Sequence, residues 1–150
     1  MTRSASGDWR ADGVKVAPAS TSSSSIAVVA AVIEENGSFL VTRRPEGSHL
    51  AGLWEFPGGK IGAGETHVQA LRRELREELD ADIDVGTLLF ETSHAYDDRT
   101  VALHFYACTL RGAPKALLGQ QMRWVPRGQL RALDFPPADE ELISRLMKKA

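Results

Sequence analysis

This 150-residue chain has a single cysteine, Cys108, so it can form no disulfide within itself. Cys108 lies in an apolar, strand-like run at 101–110 and reads as a buried core residue of a reducing compartment. Long hydrophobic stretches are also missing. The longest, residues 26–33, is too short to span a membrane, and no basic segment directly precedes it as in a signal peptide. The chain therefore reads as cytoplasmic, with no membrane partner. Nor is there an excess of positive charge. A net charge of -2 excludes a protein that grips a nucleic-acid polymer through clustered Lys and Arg. What remains, 43% hydrophobic and 25% charged residues without internal repeats, is one globular domain of ordinary size.

Residues 1–24 are small, polar and without apolar period, which predicts a flexible N-terminal tail ahead of a domain at 25–150. The β-branched run 26–33, the turn Glu35-Asn36-Gly37 and a strand at 38–42 predict a hairpin. Further strands are expected at 86–93 and 100–110, joined by Asp97-Asp98, and at 122–125. A closing helix is expected over 138–148, with Pro136 and Pro137 at its start and Asp139, Glu140 and Glu141 in its first turn. Mixed strands with two helices give an α+β fold.

The densest chemistry lies between. Over 66–79, Val68, Leu71, Leu75 and Leu79 recur at helical spacing and predict one buried stripe. Glu74 and Glu78 then lie one turn apart beside that stripe, with Glu77 close to both. Like charges about 4 Å apart repel by roughly 4 kcal/mol at an effective dielectric of 20. Either Arg72, Arg73 and Arg76 relieve that repulsion through i,i+4 pairs on a solvated face, or a hard cation such as Mg²⁺ does. The preceding loop favours the cation, because Gly58, Gly59, Gly62 and Gly64 let backbone groups approach a ligand closely.

Gly59, Glu65, Arg73, Glu74, Leu75, Glu77 and Glu78 fit the pattern Gly, five residues, Glu, seven residues, Arg-Glu-aliphatic-any-Glu-Glu. The segment thereby resembles the signature of the Nudix hydrolases. One fixed position departs: Asp80 replaces the usual glycine, and Asp tolerates the left-handed conformation a helix end requires. The resemblance implies a Nudix α/β/α sandwich with a mixed central sheet, and Mg²⁺ (Mn²⁺ as an alternative) held by Glu74 and Glu78 with Glu77 and the Gly58 carbonyl in support. It further implies Glu74 as general base, catalytic contributions from Arg73 and Glu77, and an ion pair between Arg73 and Glu65 that holds loop to helix.

Beyond the signature, Thr42-Arg43-Arg44, residues 53–61 and residues 134–139 resemble the MutT-type nucleoside triphosphate pyrophosphohydrolases. These convert a nucleoside triphosphate to the monophosphate and pyrophosphate and guard the nucleotide pool against oxidised, mutagenic bases. By that resemblance Arg44 and His49 approach phosphate and sugar, Glu55, Phe56, Pro57 and Gly58 line the nucleotide pocket, and Asp139 reads the base. Two departures bear on mechanism. Leu118 stands where many MutT-like members carry a further glutamate, so either Glu74 suffices as base or Glu91 assists. Asp139 stands where 8-oxoguanine-selective members carry Asn. An ionised Asp can only accept, which suits the amino group of cytosine, whereas a protonated one can donate to O6 of an oxidised guanine. The expected substrate is 8-oxo-dGTP, with CTP or 5-methyl-dCTP as the alternative. A non-catalytic nucleotide-binding domain is a third reading, opposed by the intact carboxylates. His94 and His104 show no metal-ligand spacing and read as structural. The expected assembly is a monomer or homodimer.

Overall fold

The computed structural model describes residues 24–48 and 50–148. The expected tail at 1–24 therefore lies outside the described residues, except for Ser24, and so does His49. In chain order the elements are β1 (Ser24–Glu35), β2 (Ser38–Arg43), β3 (Trp54–Glu55), β4 (Gly58–Lys60), α1 (His67–Leu79), β5 (Asp82–Tyr96), β6 (Arg99–Arg111), β7 (Met122–Pro126), 3-10 turns at Arg127–Ala132 and Pro137–Asp139, and α2 (Glu140–Lys148).

The sheet runs β3-β2-β1-β6-β5, with β4 added on β1 and β7 on β2. β1 and β6 are parallel over Ser24↔Arg99 to Ile33↔Cys108, while the other pairs are antiparallel. The sheet is therefore mixed, as expected. Pairing with β6 extends β1 beyond its apolar run at the N-terminal end. The expected β1–β2 hairpin turns on Asn36 and Gly37, both at positive φ, the geometry of a tight hairpin turn.

β1 reads as a continuous apolar run because both its faces are covered. Val29, Ala31 and Ile33 pack under Leu71, Leu75 and Leu79 of α1, and Ala30 and Val32 pack with Phe39, Val41, Leu142, Ile143 and Leu146 on the α2 side. These two cores complete the α/β/α layering. Among the described residues no helix is long and apolar enough to cross a membrane.

α1 is fixed at both ends. Thr66 and Gln69 form a reciprocal capping box, and Asp80 closes the helix at φ 52, ψ 38 with its N–H donating to the Arg76 carbonyl. The expected stripe needs one correction: Val68 is 37% exposed, and the buried face is Ala70, Leu71, Glu74, Leu75, Glu78 and Leu79. Two of the carboxylates therefore stand within the packed face rather than beside it.

Candidate active site

Arg73 organises the loop–helix junction. Its Nε and Nη2 grip Glu65 Oε2 and Oε1 at 2.6 and 2.8 Å, Nη2 also donates to the Lys60 carbonyl at 3.0 Å, and Nη1 reaches Glu74 Oε2 at 3.0 Å and Glu77 Oε1 at 3.3 Å. Glu65 in turn accepts from the Gly62 N–H at 2.6 Å. The bond from Arg73, opposed by partial burial, holds the Glu65 carboxyl below its ordinary range. The expected Arg73–Glu65 pair is thus the hub of a network that aims Glu74. Of the other arginines, Arg76 pairs with Asp82 rather than with a helix glutamate.

Glu74 and Glu78 are buried and face one another, while Glu77 stands half-exposed at the rim. Burial pushes both carboxyls upward. At Glu74 the Arg73 cation pulls back, and at Glu78 the neighbouring Glu55 and Glu74 push further. Glu74 Oε1 and Glu78 Oε2 accept no hydrogen bond among the described residues. Buried, unpartnered carboxylate oxygens are costly, and a hard divalent cation that prefers oxygen ligands fits this donor set.

The glycines of β4 explain how the carboxylates fit against the sheet. A Cβ on Gly59 would overlap the Glu74 carboxylate, and one on Gly58 would overlap the Val29 carbonyl. The ladder bonds Ala31 N–H to Pro57 O and Ile61 N–H to Ala27 O, so the alternate residues Gly58 and Lys60 turn their carbonyls away from β1. Lys60 gives its carbonyl to Arg73. At the far end of α1, the Glu78 and Leu79 carbonyls accept from the N–H groups of Leu117 and Lys115, which satisfies the helix terminus with the loop before β7.

Beside this centre, on the α2 face of β1 and β6, opens a cleft of about 530 Å³ including its mouth; Arg44, Glu55, Phe56, Gly58, Tyr96 and Asp139 contribute to its walls. Buried Arg44 pairs with Glu55 at 3.1 Å. Phe56 stacks on Phe135 at 5.5 Å and meets Phe105 edge-on, so it is core and wall at once. Asp139 is only 5% exposed, and burial, with a smaller push from Glu55, raises its carboxyl to about 8. Five of the expected nucleotide-pocket residues, Arg44, Glu55, Phe56, Gly58 and Asp139, thus meet in one cleft. Pro57 differs from the expectation: it is buried, its carbonyl accepts from the Ala31 N–H, and the cleft is lined by its neighbours Phe56 and Gly58 instead.

Sequence reasoning missed Tyr96, which reaches the cleft from the end of β5, half-buried, with its hydroxyl raised by burial and by Asp139. No local pattern marks it; only the β5–β6 register brings it there. Glu91 lies with Gly59, Val29 and His104 in one row across β4, β1, β6 and β5. At strand spacing that is roughly 14 Å from Gly59. Leu118 is exposed in the loop before β7.

Residues 28–145 match the NUDIX domain family. The chain is 37% identical over 121 residues to the 8-oxo-dGTP diphosphatase of Escherichia coli, covering 80% of this chain and 94% of that protein. It is 39% identical over 125 residues to the CTP pyrophosphohydrolase of the same organism, covering 81% and 91%. Among solved structures, the solution structure of MutT from methicillin-resistant Staphylococcus aureus superposes with a TM-score of 0.71 at 35% identity, covering 85% of this chain and 99% of that one.

Proposed function

The chain belongs to the NUDIX family and is a hydrolase of phosphoanhydride bonds, and on that premise we propose that it converts 8-oxo-dGTP to the monophosphate and pyrophosphate in the cytoplasm. The observation that carries the choice of base is Asp139. A carboxyl raised to about 8 by burial is protonated at neutral pH, and so presents one donor and one acceptor on a single edge. 8-Oxoguanine offers the complement, O6 as acceptor and N7–H as donor. Guanine, with two acceptors at O6 and N7, leaves the Asp139 acceptor facing a lone pair. The similarity to 8-oxo-dGTP diphosphatases supports the same reading.

In this proposal Glu74 and Glu78 hold the divalent cation, with Glu77 and the Gly58 carbonyl completing the protein's share. Mg²⁺ or Mn²⁺ bound there would spread the charge that develops on the phosphates and lower the pKa of a coordinated water. The rest is supplied by the chain. Glu74 accepts the proton of the attacking water, held in place by Arg73 Nη1. Arg73, locked by Glu65 and the Lys60 carbonyl, keeps that geometry without binding substrate itself. Arg44, oriented by Glu55, lies where the cleft meets the carboxylates and attracts the phosphate end, while Phe56 walls the base.

A second reading has a specific basis. Cytosine presents N3 as acceptor beside its N4 amino donor, so the same neutral Asp139 edge accommodates it, and a CTP pyrophosphohydrolase is as similar in sequence as the 8-oxo-dGTP enzymes. Pyrophosphate release in Mg²⁺ from 8-oxo-dGTP, dGTP, CTP and 5-methyl-dCTP, compared as kcat/KM, decides between them. The highest value for 8-oxo-dGTP, well above dGTP, is the expected result. The highest values for the cytidine nucleotides would transfer the assignment to the second reading, and turnover of none would return the chain to a nucleotide-binding role.

A further inference from the structure

Away from the cleft, on the α1 face of the sheet, two imidazoles meet. The rings of His67, which opens α1, and His104, on β6, have centroids 4.6 Å apart at an interplanar angle of 47°. Each is fixed by a different oxygen: His104 Nδ1 lies 2.9 Å from Glu91 Oε1, and His67 Nδ1 lies 2.7 Å from the Tyr106 hydroxyl. Tyr106 also meets the His67 ring edge-on, at 5.8 Å. Two histidines oriented through Nδ1, one of them by a carboxylate, match the outer-shell arrangement that steers metal-ligating imidazoles toward the metal through Nε2.

The spacing is also right. A metal about 2.0–2.1 Å from a ring nitrogen lies about 3.2 Å from the ring centre, so two cis imidazoles at about 90–110° have centres about 4.5–5.2 Å apart. The observed 4.6 Å falls inside that interval. We infer that His67 and His104 form a binding site for a borderline transition-metal ion, distinct from the carboxylate centre, in which Nε2 of each ring is a ligand and Glu91 and Tyr106 orient them. Among the described residues no third His, Cys, Asp or Glu side chain joins this pair to hold a metal. Solvent therefore completes the coordination, and Glu91 is an orienting group rather than a ligand. Imidazole favours Cu²⁺, Ni²⁺ or Zn²⁺ and Mg²⁺ prefers oxygen, so saturating Mg²⁺ fills the carboxylate centre and leaves the imidazole pair open. A bound ion would pin the start of α1 to β6.

The test is calorimetric titration of the untagged full chain with Cu²⁺, Ni²⁺ and Zn²⁺ in saturating Mg²⁺, with electron paramagnetic resonance of the Cu²⁺ form. Expected are one ion per chain, Cu²⁺ bound tightest, and nitrogen couplings from two imidazoles. His67→Gln and His104→Ala should each weaken binding by more than tenfold, Glu91→Gln by about 10–100-fold, and His94→Ala should leave it unchanged. Should His104→Ala fail to fold, His67→Gln at the helix start gives the same reading. Absence of saturable binding, a Cu²⁺ spectrum with fewer than two nitrogens, or sensitivity to His94→Ala instead would overturn the assignment.

Discussion

Two ends of the proposed nucleotide site use the same chemical group to opposite purposes. On α1, Glu74 and Glu78 are buried together, raised by burial and mutual proximity, and left with oxygens that no donor among the described residues satisfies. At the cleft, Asp139 is buried and is raised to about 8, chiefly by burial with a smaller push from Glu55. The first pair is frustrated until a cation arrives; the second carboxyl is settled by keeping its proton. What separates them is the surroundings: Arg73 and the turned-out β4 carbonyls make the α1 end a place for ionised oxygen, whereas burial dominates at Asp139 and favours the neutral acid.

The sharpest way to break this contrast is to neutralise each end in turn. Glu74→Gln should lower kcat by about 10²–10⁴-fold, as expected for loss of a general base, with KM changing far less. Glu78→Gln should also impair turnover, and raised Mg²⁺ should restore it partly. Single-turnover rates over a Mg²⁺ series check both. Full activity in either variant would mean that the replaced carboxylate serves the fold and not the reaction.

Gly59→Ala probes the same end without touching charge. The added methyl overlaps the Glu74 carboxylate. Overpacking of this kind costs about 1–3 kcal/mol of stability, and here it should also turn Glu74 away from Arg73 and depress kcat. Urea unfolding with parallel kinetics tests the pair of effects. Stability loss with intact turnover would show that Glu74 does not need this seat.

At the other end, Asp139→Asn keeps one donor and one acceptor but removes the proton. Wild-type kcat/KM for 8-oxo-dGTP should fall as pH rises through about 8, where Asp139 ionises, and the Asn variant should lack that alkaline limb. Stability follows the same sign. A folded-state pKa above the unfolded value contributes stability that is fully present below about pH 4 and is lost as pH climbs through about 8, so the variant's stability should decline less over that window. An unchanged pH profile would place the base elsewhere.

These two ends were also unequally legible in the sequence. The α1 centre is local: the 3.6-residue period gives the helix face that carries Glu74 and Glu78, and the Arg73–Glu65 pair, implied by the resemblance, lies within the same residues 59–80. The Thr66–Gln69 capping box went unread, and the depth of Glu74 and Glu78 and the exposure of Val68 escaped because periodicity gives a face and not what packs on it. The cleft is long-range. β3 and β4, of two and three residues, are too short to carry a period and exist only through pairing with β2 and β1, yet they place Glu55, Gly58 and Gly59. Tyr96 arrives through the register of β5 on β6, and Asp139 is buried by the turn at Pro137–Asp139, so neither position is visible in residue order.

Asp80 supplies the smallest effect and separates signature from chemistry. It occupies the glycine position of the motif at φ 52, a left-handed conformation that Asp tolerates and Gly adopts freely. Asp80→Gly should relieve that conformation while making the unfolded chain more flexible, so the net change in stability should stay within about 1 kcal/mol. Because Asp80 caps α1 through its backbone N–H and its side chain is exposed, kcat should not move. A change in turnover without a change in stability would mean that the helix end communicates with Glu78, two residues before the cap, and that the glycine of the signature serves the metal centre as well as the fold.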